Sequence, residues 1–274
     1  MIAKRVDVVR SRGPLNSDGP TALLVTALSL EYRAVRKHLV DLRTVVHPSG
    51  TIYEVGTFGC GPNNWNVVLV ETGMGNNIAA IETSRAIDGF EPEVAIFVGV
   101  AGGLKDVEIG DVVAADYVYG HESAKLTDKF QSRIKSFGCG FPLVHVARMV
   151  RRKECWHHRV TSGQTPTSYV GPLASGEQIL AGVRTQTHDL IEQFCGDSLA
   201  VETEGWGFLF AAHASGDLPA IVVRGISDLT AGKSAEMDLA NQPAAADHAA
   251  AFAFELIAEV SSVFGGVFGF EGQG

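Results

Sequence analysis

Four near-continuous apolar runs constrain the fold of this chain more than any other feature. They are TALLVTAL from Thr21, NVVLVETG from Asn66, VAIFVGVAGG from Val94 and AIVVRGISD from Ala220. Strands that carry so few polar residues need cover on both faces of their sheet. The first three runs are followed by amphipathic stretches: SLEYRAVRKHL, NNIAAIETSRAI and DVVAADYVYG. This alternation predicts an α/β domain in which helices cover both faces of a sheet.

The chain divides by composition into a folded body and two terminal segments. Its 274 residues are 46% hydrophobic, which is ample for a buried core. Residues 1–20 include SRGPLNSDGP and are expected to form a flexible lead-in, residues 21–264 one domain, and the glycine-rich residues 265–274 a flexible tail. An alanine-rich helix is expected over about 244–263. The segment 126–172, with the basic helical stretch PLVHVARMVRRKECW, is interpreted as an insertion after a strand.

Charge and cysteine content exclude several classes of protein. The formal net charge of −9 disfavours a surface that binds nucleic acid. Four scattered cysteines, Cys60, Cys139, Cys155 and Cys195, contain no CxxC pair, which favours reduced thiols in a cytoplasm over disulfides or a zinc site. There is no HExxH spacing, no apolar run long enough to cross a bilayer and no signal-peptide pattern. We therefore expect a cytoplasmic protein without a metal or membrane contact.

Glycines and acids gather at the ends of the apolar runs. The sequences TGMG, GVAGGL and RGISD place glycines where ligands bind in open α/β sheets, but none has the spacing of a dinucleotide or Walker motif. Glu31, Glu204 and Asp228 each follow such a run, where partial burial would raise the pKa of a carboxyl. Each acid alone could equally be a first-turn helix acid or a helix cap.

Five ordered motifs identify a resemblance to a known superfamily. TALSLEYRAV, VGVAGGLKDVEIGDVVAADYVYGHES, SGEQIL, VETEGWGFLFAAHA and RGISDL together resemble the nucleoside phosphorylase/nucleosidase superfamily, from Thr21 to Ala258. This superfamily includes purine nucleoside phosphorylase and methylthioadenosine/adenosylhomocysteine nucleosidase. The resemblance implies a three-layer α/β/α sandwich with a central twisted mixed sheet, a purine nucleoside or nucleotide as substrate, no cofactor, and a homodimer or higher homo-oligomer.

Two of these motifs have a closer similarity. VETEGWGFLFAAHA and VVRGISDLTAGKS are most similar to the phosphorylase-superfamily domains of immune-type effector proteins. That similarity implies cleavage of adenine from nucleosides or nucleotides, including ATP.

The resemblance assigns a role to each acid. N-glycosidic cleavage passes through an oxocarbenium-like ribosyl cation, and the departing purine needs a proton or hydrogen bond at N7. Asp228 corresponds to the general acid at N7, with Ser227 orienting it, and must hold a proton near neutral pH. Glu204 corresponds to the glutamate that binds the ribose hydroxyls, and Glu31 to the base that activates water. Glu202 is expected to support them.

Other positions correspond to parts of the base and ribose pocket. Ala101 and Gly102 match backbone that faces the base, and Ile179 and Leu180 match the segment that recognises the purine edge. Thr203 replaces a methionine that many relatives have under the ribose.

One position departs from the family in the stacking of the base. Relatives often have an aromatic ring where this chain has Ile179. Trp206 or Phe208 is therefore a candidate to stack on the base instead.

Hydrolysis is favoured over phosphorolysis. Bacterial phosphorylases of the superfamily bind phosphate with an arginine and a serine, and the matching residues here are Phe97 and Val100, which cannot hold an anion. Water activated by Glu31 is then the expected nucleophile. Arg33 and Arg36 lie close by but are expected to face solvent on a helix.

A basic cluster in the middle segment offers a candidate site for a 5′-phosphate. It consists of Arg148, Arg151, Arg152 and Lys153, followed by His157, His158 and Arg159. Such a cluster could bind a triphosphate through charge-assisted hydrogen bonds, or could equally be the solvated face of a helix. The function hypotheses that remain are an N-glycosidase, a phosphorylase and a module that senses purines without turnover.

Overall fold

The computed structural model describes residues 7–8, 15, 19–59, 64–128, 130–180, 185–230 and 235–264. The strands are β1 (Asp7–Val8), β2 (Thr21–Thr26), β3 (Val40–Val46), β4 (Ile52–Phe58), β5 (Trp65–Glu71), β6 (Val94–Gly103), β7 (Val112–Gly120), β8 (Ala124–Leu126), β9 (Phe130–Ser132), β10 (Lys135–Gly138), β11 (Ser168–Ser175), β12 (Ala200–Glu202) and β13 (Ala220–Leu229). The helices are α1 (Ser29–Arg36), α2 (Asn76–Phe90), α3 (Phe141–Lys153), α4 (Gln186–Phe194), α5 (Gly205–Ala214) and α6 (Ala235–Phe264), with a 3₁₀ helix at Cys155–Arg159.

An 11-stranded mixed sheet forms the centre of the protein. Its order is β1-β3-β4-β5-β2-β6-β12-β11-β7-β10, and β13 pairs with both β6 and β7. Strands β5, β2, β6 and β13 run parallel to their neighbours in that series. Because β13 joins β6 to β7, the strands β6, β12, β11, β7 and β13 close into a ring.

Helices cover the sheet on both faces. Alternate residues of β2, such as Leu24, pack with α1, α3 and α6 on one face. The residues between them, such as Leu23, pack with α2 and α5 on the other face. A smaller cluster joins α4 to the ends of β11 and β12. The predicted α/β/α fold with a central mixed sheet is confirmed, and both faces are buried because the strands are apolar at consecutive positions.

Three local expectations differ from the structure. DVVAADYVYG is a strand, β7, rather than a helix, because β11, β13 and β10 all pair with it. The segment 126–172 is not an insertion, since α3 lies in the main core and β11 is a strand of the ring. The last helix, α6, begins at Ala235, well before the predicted 244, and includes the proline Pro243.

The terminal segments are only partly described. Within the predicted lead-in, Asp7–Val8 pairs in parallel with Val45–Val46 at the sheet edge. The predicted tail, residues 265–274, lies outside the described residues. Among the residues that are described, no helix is long and apolar enough to cross a membrane. The thiols of Cys139, Cys155 and Cys195 are free, whereas Cys60 lies outside the described part.

Candidate active site

A cavity of about 290 Å³ lies at the carboxyl ends of β2, β6, β12 and β13. This edge of an α/β sheet is where ligands usually bind. All of the catalytic and substrate-binding residues predicted from the sequence line it: Glu31, Ala101, Gly102, Ile179, Leu180, Glu202, Thr203, Glu204, Ser227 and Asp228. The remaining lining residues are Ala27, Leu28, Met74, Val100, Gln178, Val201 and Gln242.

Glu31 is held at the start of α1 by three backbone N–H groups. Its Oε2 accepts hydrogen bonds from Ala27 N at 2.8 Å and Leu28 N at 2.9 Å, and its Oε1 accepts one from Val100 N at 2.8 Å. Burial raises the pKa of Glu31 to about 7, although Arg224 and the backbone N–H groups of Leu28 and Val100 act in the opposite direction. A carboxyl that titrates near neutral pH is well suited to act as a general base.

Arg224 is a fully buried cation beneath the cavity. Its Nη2 donates to Glu202 Oε2 and, at 3.0 Å, to Glu204 Oε2, while Nη1 donates to the Val100 carbonyl at 3.4 Å. The guanidinium carbon lies 4.5 Å from the centre of the Phe97 ring. A guanidinium out of contact with water needs such partners, because an unpaired buried charge is very costly.

Glu202 fixes the start of α5. Its Oε2 accepts hydrogen bonds from the backbone N–H groups of Glu204 at 3.0 Å and Gly205 at 2.7 Å. These groups belong to the first turn of α5, where N–H groups have no partner within the helix. A Cβ at position 205 would lie only 2.9 Å from Glu202 Oε1, so glycine is needed for this close approach. Glu202, which the sequence predicts to support the site, therefore fixes the backbone around Glu204.

The carboxylate of Glu204 has contacts on both oxygens. Its Oε1 accepts hydrogen bonds from Gly75 N at 3.0 Å and from the hydroxyl of Thr203, and its Oε2 accepts one from Arg224. Glu204 itself is buried. The side chain is therefore fixed in one orientation at the edge of the cavity.

Asp228 is placed by a bulge in β13. Ile226 pairs with Ala101 of β6 and Asp228 with Gly102, so Ser227 is an extra residue between the two pairs. Bulges of this kind redirect side chains. Ser227 Oγ lies 3.4 Å from both the Ala101 carbonyl oxygen and Asp228 Oδ2. A Cβ at position 102 would lie 3.1 Å from Asp228 Oδ1, so the missing side chain leaves room for the carboxyl.

The other side of the cavity is apolar. Met74 and Ile179 are 59% and 61% exposed at its mouth, and Leu180 is buried behind them. Ala27 and Leu28 continue this surface at the end of β2. A purine or its 5′ substituent bound here would contact aliphatic and thioether side chains rather than an aromatic ring among the described lining residues.

Neither candidate for a stacking ring faces the cavity. Trp206 is stacked on Phe210 with centroids 5.6 Å apart, and its Nε1 donates to the Lys135 carbonyl at 3.2 Å. Phe208 is buried against Phe97 in the core, in an edge-to-face arrangement at 5.5 Å. The expectation that one of them replaces the family's aromatic ring is wrong, because α5 directs one outward and the other into the core.

The predicted 5′-phosphate cluster does not line the cavity. Its members are exposed on α3: Arg148, Arg151, Arg152 and Lys153. Arg148 Nη2 lies 3.7 Å from Asp116 Oδ2, and Arg151 lies over the Tyr169 ring at 5.8 Å. Tyr169 is at the start of β11, whereas the cavity is beyond its end, 8 residues later at about 3.3 Å each. These residues lie on the exposed face of a helix and outside the cavity, which favours the alternative of a solvated face, and their phosphate-binding role stays a prediction.

The end of α3 takes part in an ion-pair cluster. Lys153 Nζ donates to Glu259 at 2.7 Å, and Arg159 Nε donates to Glu255 at the same distance. Cys155 lies beside the two glutamates, with its sulfur and their oxygens within 4.8 Å of one another. Because each carboxylate already has a cationic partner, the charges of this cluster are balanced within the protein.

The positions that bind phosphate in bacterial phosphorylases have neither a cation nor a hydrogen-bonding side chain here. Phe97 is buried, and the side chain of Val100 is apolar. Arg33 is exposed on α1, and Arg36 donates to Glu54 Oε2 at 2.6 Å. Both arginines face away from the cavity, as expected from their helix.

Comparison with known proteins places the chain in a family. The sequence model of the Phosphorylase superfamily matches residues 21–261. The chain therefore belongs to the phosphorylase superfamily, as the five motifs indicated.

Several similar proteins of this superfamily are 5′-methylthioadenosine/S-adenosylhomocysteine nucleosidases. The one from Hydrogenovibrio crunogenus is 25% identical over 243 residues, covering 87% of this chain and 98% of its own length. The one from Mycobacterium bovis is 31% identical over 192 residues, covering 61% and 71%. The predicted enzyme class, a nucleosidase, is confirmed by these relatives.

Solved structures show the same fold. S-adenosylhomocysteine nucleosidase from Streptococcus pyogenes, in complex with 5-methylthiotubericidin, has 23% identity and a TM-score of 0.74, with 89% of this chain and 99% of that chain covered. The nucleosidase from Colwellia psychrerythraea, in complex with adenine, has 21% identity and a TM-score of 0.73, with 88% and 96% covered.

Sequence reasoning missed Arg224 and Gly75 as parts of the site. Arg224 stands inside the quoted RGISD motif, and a lone cation in an otherwise apolar buried strand is the pattern that indicates it. Gly75 stands in the quoted TGMG, whose backbone rather than side chain contacts Glu204. Gln242 of α6, which also lines the cavity, has no local motif.

Proposed function

We propose that residues 21–264 form a hydrolase that cleaves the N-glycosidic bond of adenine nucleosides, releasing adenine and the free sugar. One observation carries this proposal: Glu31, Glu204 and Asp228 line a single cavity, although they come from three different elements of the fold. Each has a distinct environment, as the three roles of such a reaction require.

The proposed reaction uses the three carboxyls in different ways. Asp228, protonated, donates to N7 of the purine as the bond between C1′ and N9 breaks. Glu204 accepts hydrogen bonds from the ribose hydroxyls and stabilises the positive charge that develops on the sugar. Glu31 removes a proton from water, whose oxygen then forms the new bond to C1′. Adenine leaves with the proton that Asp228 supplied.

Arg224 and Glu202 would organise this chemistry without reacting. Arg224 Nη2 donates to both Glu202 and Glu204, and its charge also lowers the pKa of Glu31, where burial raises it. These contacts give two buried glutamates a cationic partner, and they leave the pKa of Glu31 at about 7.

We propose an uncharged 5′ group on the substrate. The described lining residues include four acids and no lysine or arginine, and their apolar members Met74, Ile179 and Leu180 suit a thioether or alkyl group. The relatives are named for 5′-methylthioadenosine and S-adenosylhomocysteine, which both carry a thioether and no phosphate at the 5′ position. A nucleotide, ATP included, is the second candidate; only the similarity to effector domains favours it, and the negative charge of the site opposes it.

The enzyme is also proposed to be a cytoplasmic homodimer. Free thiols suit a reducing compartment. Ile81 of α2 and Phe210 of α5 are about half exposed, on two helices that pack together on one face of the sheet, and Met74 precedes α2 at the cavity mouth. A second copy would cover these apolar side chains. Sedimentation equilibrium of the wild type and of Phe210→Glu tests this: the variant should be the smaller species.

The reaction is tested by incubating the protein with adenosine, inosine, 5′-methylthioadenosine, AMP and ATP, with and without phosphate, and separating bases and sugars by chromatography. We expect free adenine without phosphate, fastest from uncharged nucleosides. Ribose 1-phosphate formed only with phosphate would establish a phosphorylase. Release of adenine from AMP and ATP alone would establish an N-glycosidase specific for nucleotides. Binding of adenosine with no release of base would establish a purine sensor.

A further inference from the structure

The loop before α2 supplies a hydrogen bond to the ribose-binding carboxylate. Gly75 N donates to Glu204 Oε1 at 3.0 Å. Gly75 has a φ of +106°, a conformation that favours glycine. The backbone N of the next residue, Asn76, donates to Glu177 Oε1 at 3.2 Å. The position of this loop therefore determines one of the contacts that orient Glu204.

The side chain of Asn76 connects this loop to two other elements of the site. Its Oδ1 accepts hydrogen bonds from Gly207 N of α5 at 2.8 Å and from Ser175 Oγ at 3.1 Å, and its Nδ2 donates to the Gly176 carbonyl at 3.2 Å. Asn76 is only 8% exposed. Its amide therefore hydrogen-bonds both to the end of β11 and to the first turn of α5, the helix in which Glu204 occupies the N-cap position.

An amide is the group that these contacts require. Two N–H or O–H donors and one carbonyl acceptor surround it, and only Asn or Gln provides both an acceptor oxygen and an NH₂ donor. The packing is also close, since a Cβ at Gly207 would lie 1.9 Å from the Asn76 carbonyl oxygen. The start of α2 and the start of α5 therefore touch through their backbones, and Asn76 fixes their relative position.

We propose that Asn76 is a positioning residue for the ribose subsite: through its amide it holds the Gly75 N–H against Glu204, and so determines how strongly the enzyme prefers substrates that have ribose hydroxyls. It does not touch the reacting atoms. The inference rests on the proposed role of Glu204, and its experiment separates the two.

The test compares adenosine with 2′,3′-dideoxyadenosine, which lacks both hydroxyls. We would measure kcat and KM for the wild type, Asn76→Ala, Asn76→Asp and the matched control Asn77→Ala, whose side chain is exposed at the adjacent position. For Asn76→Ala, kcat/KM for adenosine should fall roughly tenfold more than for the dideoxy substrate, the size expected when one hydrogen bond to a charged group is lost. Asn76→Asp keeps the acceptor and should recover part of the preference, and Asn77→Ala should match the wild type.

An equal loss for both substrates, with a lower melting temperature, would show that Asn76 is only structural and overturn the inference. If Asn76→Ala does not fold, Ser175→Ala, which removes a single donor to Oδ1, should reduce the same preference by a smaller factor. If the wild type releases no base at all, the proposed function fails. The role of Asn76 is then tested by calorimetry, which gives the dissociation constants of adenosine and 2′,3′-dideoxyadenosine. If Asn76→Ala leaves the ratio of these two constants unchanged, the role of Asn76 is overturned as well.

Discussion

The acids of the cavity and the basic residues of α3 are both clusters of ionisable side chains, but they differ in burial and in how firmly they are held. Glu31, Glu204 and Asp228 are 1%, 3% and 2% exposed, and backbone N–H groups or Arg224 hold the first two in place. The side chains of α3, such as that of Arg152, extend into water. Charge that is buried and fixed can be used for chemistry, whereas charge that is solvated mainly contributes to solubility. Clustering of charge in a sequence does not separate the two.

The largest expected effect follows from removing the proposed proton donor. Asp228→Asn keeps the shape of the side chain but cannot donate the same proton, so kcat should fall about 10³-fold. The initial rate of adenine release measures this. Asp217→Asn is the matched control, because the side chain of Asp217 is 83% exposed in a surface pair with His213. Turnover by Asp228→Asn at the wild-type rate would remove Asp228 from the mechanism.

A second comparison sets a buried ion pair against an exposed one. Arg224→Met leaves Glu202 and Glu204 without their cation and should lower the free energy of unfolding by about 3–5 kcal/mol. Arg36→Met removes an exposed pair with Glu54 and should cost less than about 1 kcal/mol. Urea denaturation of both variants measures the difference. Similar values for the two would mean that burial does not distinguish these pairs.

The pH dependence of Glu31 gives a third test. Burial raises the pKa of its carboxyl from 4.5 to about 7, so between these values the folded state holds a proton that the unfolded state has released. The unfolding free energy of the wild type should therefore fall relative to Glu31→Gln as pH rises from 4.5 through 7, by up to about 3 kcal/mol. Urea titrations of both proteins at pH 5 and pH 8 measure how the difference between their unfolding free energies changes with pH.

The same ionisation should control turnover. If Glu31 acts as the base, kcat/KM of the wild type rises with pH and levels off above about 7. Glu31→Gln should be inactive at every pH. A variant that kept the wild-type pH profile would show that another group activates the water.

The smallest effect is expected on α3. Replacing Arg148, Arg151, Arg152 and Lys153 by glutamine together should change KM for adenosine, AMP and ATP by less than about twofold, because these residues lie outside the cavity. The same steady-state assay measures it. A selective rise in KM for ATP would restore the phosphate-binding interpretation.

Local patterns predicted most of the fold, and they failed where pairing or proline intervened. The apolar runs predict β2, β5, β6 and β13 correctly, because several consecutive residues in each run are apolar and buried. DVVAADYVYG was not recognised as a strand, because its contacts come from β10, β11 and β13, far away in the chain. The alanine-rich composition indicated only the part of α6 after Pro243, whereas the helix begins before this proline, at Ala235.

The family motifs predicted the acids of the site but not all of its residues. Glu31, Glu204 and Asp228 were placed together by the resemblance, and their common position at strand ends supports it. Arg224 was missed because its partners are 20 and 22 residues distant and only the fold brings them together. The position of the basic cluster outside the cavity could not be predicted for a related reason. A run of cations on a helix does not show which end of the sheet that helix packs against.

The ring of β6, β12, β11, β7 and β13 has a consequence for the dynamics of the protein. Each strand of the ring is paired on both sides, so it separates from the ring only when at least two ladders break. Glu202 and Asp228 are on this ring, so amide hydrogens around them should exchange more slowly than those of the edge strands β1 and β10. Two of the four cavity acids are thus held on strands that have no free edge, and a substrate would reach them past the exposed side chains at the cavity mouth.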